Sequence, residues 1–131
     1  MSKCLILVKY SIEENQLCEE SERNIGSVDI SDIIINDLGL ENATIDICVL
    51  EEKNGKSYEA KVIDSNCLSD TIKRCEELSI KYASDLYKGI QNDKQRNSVF
   101  DKLTALLNVR KIMREKQLKY KDDNSVFVVW G

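Results

Sequence analysis

The chain has no histidine and no proline, one tryptophan, two phenylalanines and five glycines in 131 residues. Each shortage excludes something. Without histidine, the commonest general base and the commonest transition-metal ligand are missing. Serine-nucleophile and Cys/His arrangements are therefore excluded in their usual form, as are zinc sites that need an imidazole. The glycines, Gly26, Gly39, Gly55, Gly89 and Gly131, stand apart from one another and form no phosphate-cradling loop. Apolar runs such as residues 4–8 and 33–35 are far too short to cross a bilayer. Near the N-terminus a lysine precedes an apolar run, but acidic residues follow directly and there is no small-residue cleavage site. This predicts no signal peptide and an intracellular protein.

Five cysteines, Cys4, Cys18, Cys48, Cys67 and Cys75, form an odd set without a CxxC pair. They read as reduced, partly buried thiols, with no metal site and no cofactor. Paired carboxylates such as Glu51-Glu52 and Glu76-Glu77 are adjacent in sequence and so point to different sides of a strand or helix, which gives no acid–base pair. The pattern predicts a protein that is not an enzyme.

What is present is that of a soluble globular protein, 42% hydrophobic and 32% charged. The net charge of −4 divides unevenly. Residues 1–93 carry ten basic and nineteen acidic side chains, residues 94–121 nine basic and two acidic. A basic segment beside an acidic body can dock on that body or on a second copy, and it can also hold nucleic acid through phosphates.

The stretch ATIDICVLEEKNGKSYEAKVID, residues 43–64, reads as a β-hairpin closed by a type I′ turn on Asn54-Gly55. Ile45, Ile47 and Val49 on one arm and Tyr58, Ala60 and Val62 on the other form an apolar face that needs a core. Residues 4–10 read as a strand, residues 11–26 as an acidic loop containing Glu13, Glu14, Glu19, Glu20 and Glu22, and residues 27–35 as a second strand running into a turn. Ser69 is the expected N-cap of a helix over 68–90, in which Leu68, Ile72, Cys75, Ser79, Tyr82 and Leu86 make a heptad-like seam. Leu78, Ile80 and Ala83 widen its apolar surface toward a second neighbour. Ser98 caps a second helix over 98–120 with a basic face of Lys102, Arg110, Lys111, Arg114 and Lys119. A final apolar strand spans 125–130 and must pair or present an aggregation hazard.

The expected architecture is α+β: a small antiparallel barrel or sheet over 1–65, then 66–131 as a helical hairpin or dimerisation segment with a C-terminal strand, packed as one unit with the first part. The two helices either fold back or extend to join a second chain. Ile72, Cys75, Leu78, Tyr82 and Leu86 are accordingly either core for the second helix or a contact surface for a protein partner, with a coiled-coil homodimer as the self-associating form.

The run LILVKY, then SVDISDI, then NGKSYEAKVID leading straight into a helix resembles the small β-barrels of Tudor and SH3 type, in which a GKxYxAxV hairpin recurs. More specifically it is similar to the N-terminal modules of insect proteins with a BEN domain or related chromatin-associated domains, which open on an LVKW-type strand and carry a WxDGKxYxAKV strand pair. The match covers roughly residues 4–90. Here Tyr10 stands in place of the first tryptophan, and residues 50–53 replace the WxD approach to the turn. The resemblance implies a nuclear adaptor that contacts other proteins, with Tyr10 and Tyr58 as remnants of an aromatic cage. Two other classes fit the residues: nucleic-acid binding through the basic second helix, and a small viral or bacterial inhibitor that blocks a partner protein.

Overall fold

The computed structural model describes residues 3–88 and 92–131, with backbone alone for residues 20–23. Among the described residues, five strands and four helices follow in the order β1 (Lys3–Glu13), β2 (Gln16–Ile30), α1 (Asp32–Leu38), α2 (Leu40–Ala43), β3 (Thr44–Glu51), β4 (Lys56–Ile63), α3 (Leu68–Tyr87), α4 (Asp93–Leu118) and β5 (Val126–Trp130). The fold is α+β. β1 pairs with β2 and β5, and β4 pairs with β3 and β5, all antiparallel. The ring is completed by a short parallel contact of β2 with β3, Leu17 against Val49 and Cys18 against Leu50. The sheet is thus mixed rather than purely antiparallel, because α1 and α2 form a crossover that returns the chain in the direction of β2.

The expected acidic loop over 11–26 is instead the end of β1 and most of β2. Glu13 pairs with Gln16, and Glu14 (φ 50°) and Asn15 (φ 66°) supply the two left-handed residues of a tight hairpin turn. The hairpin over 43–64 forms, but on a four-residue loop in which only Gly55 (φ 64°) is left-handed. A two-residue turn on Asn54-Gly55 would set Lys53 opposite Lys56. The observed register sets Glu51 opposite Lys56, which replaces a like-charge pair by an opposite one. The slip is by two residues, so the alternation of faces is unchanged.

Residues 27–35 are not one strand. β2 ends at Ile30, Ser31 caps α1 by accepting from the Ile34 N–H at 3.4 Å, and Gly39 (φ 63°) ends it. Ile34, Ile35 and Leu38 share the buried face of this short helix while Ile33 is exposed, so the cap and the 3.6-residue spacing outweigh β-branched propensity. α3 starts one residue after Cys67 with no side-chain cap; Ser69 lies inside it and its hydroxyl accepts from the Gln117 amide at 2.9 Å. α4 begins at Asp93, five residues before the expected Ser98 cap, because the Asn92 side chain accepts from the Lys94 N–H at 2.9 Å. The first helix, expected over 68–90 with its stop near residues 89–93, ends at Tyr87, where the Lys88 N–H donates to the Ser84 carbonyl; residues 89–91 lie outside the described residues.

The strands separate two apolar clusters. On one face Val8, Tyr10, Val49, Ala60 and Val62 pack together, with Phe127 and Val129 against them. On the other, Leu5, Leu7, Val126, Val128 and Trp130 meet Ile34, Ile35, Leu38, Ile72, Cys75, Leu78, Leu106, Val109, Ile112 and Met113. β5 alternates between the two clusters residue by residue, as a strand covered on both faces must. α3 and α4 run antiparallel, since Ser69 meets Gln117 and Glu76 meets Arg110. The helices fold back on each other.

Met113 of α4 is fully buried in the core shared by the helices and the sheet, whereas Ile80 is 71% exposed. Met113→Ala is expected to lower unfolding free energy by about 2–5 kcal/mol and Ile80→Ala by less than about 0.5 kcal/mol, measured by urea denaturation. Equal effects at the two positions would contradict the assigned packing.

Candidate protein interface

The seam residues of α3 do not share one environment. Ile72, Cys75 and Leu78 are buried in the chain's own core. Burial pushes the Cys75 thiol up to about 12, the nearby Arg110 charge offsetting this only in part, so it packs as a neutral side chain. Tyr82 is half-buried and its hydroxyl donates to the Asp37 carboxylate at 2.7 Å, with the Lys102 ammonium 5.8 Å from its ring centre. Leu86 alone among the five lines an open cleft.

That cleft, about 470 Å³, lies between the C-terminal half of α3 and the N-terminal half of α4. Ala83, Leu86, Tyr87, Phe100 and Leu103 form its apolar wall, and Arg96 and Asn97 its polar edge. Large apolar side chains stand exposed around it: Tyr87 is 91% exposed and Phe100 57%. Ile80 lies seven residues before Tyr87 and the half-exposed Leu107 seven after Phe100, so each extends the patch by two turns along its helix. The signal for this face was present in the sequence as Ile80, which lies off the Ile72–Cys75 line by helical phase, and Ala83, which continues the Ile72 side of that line toward the end of the helix. Tyr87, Phe100 and Leu107 were not recognised, because a phase count does not say which apolar stripe meets the sheet.

The basic residues of α4 scatter around its axis. Lys102 stands over Tyr82, and Arg110 pairs with Glu76 at 3.7 Å. Arg114 donates to the Gln117 side-chain carbonyl at 3.0 Å, and Lys119 sits 5.5 Å from the Tyr120 ring centre. Lys116 turns inward and donates to the Tyr120 and Asp123 carbonyls, and desolvation lowers its pKa. Arg96 and Lys111 are exposed and make no ion pair among the described residues. By helical phase Arg96, Lys111 and Arg114 lie along the Phe100–Leu107 stripe, and two acidic residues of α4 share that face, Asp93 seven residues before Phe100 and Glu115 four after Lys111.

Tyr10 and Tyr58 do not make an open cage. Tyr10 is buried with its ring 5.9 Å from that of Phe127, and Tyr58 is 39% exposed on β4 beside the buried Val49. The donor atoms of Glu13, Cys18 and Glu52 lie within 4.8 Å of one another, three ligand atoms where a closed structural site takes four. All five cysteines are free thiols. A wider cleft of about 810 Å³ opens beside the start of α1, but both signs of charge line it, Asp29, Asp32 and Asp101 with Lys94 and Lys102. No helix among the described residues is long and apolar enough to cross a membrane.

The Tyr82–Asp37 bond gives a pH prediction. Desolvation and the bonded carboxylate raise the Tyr82 phenol to about 12 from an ordinary 10. A folded-state pKa above the unfolded one means a contribution present below about pH 10 and lost as pH rises toward about 12. The stability difference between the native chain and Tyr82→Phe should therefore be constant from pH 7 to 9 and shrink between pH 10 and 12. A difference that grows over that range would contradict the assignment.

No family model, curated protein or solved structure matches the chain.

Proposed function

We propose that the chain is a non-enzymatic protein-interaction module, and that it binds its partner through the outward face of the α3–α4 hairpin. The observation that carries this reading is the cluster of exposed Ile80, Tyr87, Phe100 and Leu107 around an apolar cleft, on helices whose opposite faces are already buried. Isolated exposed apolar residues are ordinary; several adjoining ones, two of them aromatic, mark a contact surface. The seam first read as the partner surface supplies the core that holds this second face in place.

The ring of strands supports reading the sheet as a small barrel of Tudor or SH3 type, with the long β1–β2 hairpin, the parallel β2–β3 contact and the α1–α2 crossover as departures. A nuclear adaptor is the role that this resemblance suggests, reached through the helices rather than through an aromatic cage.

The double variant Tyr87→Ser with Phe100→Ser removes the two largest exposed rings and is expected to leave the unfolding midpoint within about 0.5 kcal/mol of native. Proteins that co-purify with the native chain should be lost from this variant and retained by the control Ile45→Ser with Ile12→Ser, which alters exposed apolar residues of the sheet. Retention by both would reject the helical face as the interface.

A further inference from the structure

We draw no further inference here: the strongest candidate, the side-chain cluster of Glu13, Cys18 and Glu52 in the cleft between the β1–β2 and β3–β4 turns, is two exposed carboxylates beside one thiol, and no second observation among the described residues points to a ligand there.

Discussion

β5 is the constraint on which the rest depends. It pairs along five residues with β1 and meets β4 at Lys61 and Val62, so the end of the chain fills the gap between its first strand and its fourth. Because β4 ends at Ile63 and β5 runs antiparallel to it, the intervening residues must leave the sheet and return to the same edge. Two antiparallel helices meet that condition with one short link. Extended helices would leave β5 away from its slot, with the apolar sides of Val126, Val128 and Trp130 uncovered.

The return path also explains the unequal helices. At 1.5 Å per residue α3 spans about 30 Å and α4 about 39 Å. Near the sheet both are fixed by burial of Ile72, Cys75, Leu106, Val109 and Met113, and by the Gln117–Ser69 and Arg110–Glu76 contacts. Asp37 at the end of α1 adds a brace, accepting from Tyr82 through its carboxylate and from Arg74 through its backbone carbonyl. Away from the sheet, residues 92–98 are all exposed and the two helices have chiefly each other.

Much of this was legible in the residue pattern and some was not. The alternation of Ile45, Ile47 and Val49 against Tyr58, Ala60 and Val62 held through a change of turn, because a slip of two residues leaves every side chain on its face. The last strand was evident from its apolar run, but its two partners were not, since pairing over such sequence distance leaves no local trace. The first part of the Gln16–Ile30 strand was hidden by its charges, since an acidic composition suggests a loop, whereas its last residues, 27–30, read as a strand. Residues 33–35 misled in the other direction: three consecutive isoleucines favour a strand, yet Ser31 and Gly39 at either end fix a helix. For the site, the sequence placed the apolar residues of α3 correctly on a helix and left open what they touched. The structure divides them, with Ile72, Cys75 and Leu78 inward, Leu86 at the cleft and Ile80 outside.

That division carries the functional argument one step further. A helix hairpin needs one apolar stripe to hold the sheet and one seam to hold its partner helix; a third stripe has no structural use. Tyr87 at 91% and Ile80 at 71% exposure gain almost nothing from the fold as it stands, while each exposed large apolar side chain forgoes roughly 1.5–3 kcal/mol that full burial could contribute. Their neighbours Ala83 and Leu103 are set back in the cleft wall, so the patch has relief as well as apolarity. Placed at the far end of the hairpin, beyond the contacts to the sheet, it can be covered or uncovered without disturbing Leu106, Val109 or Met113. A core that is complete without the patch, and a patch that the core does not need, is the arrangement expected when the missing neighbour is another molecule.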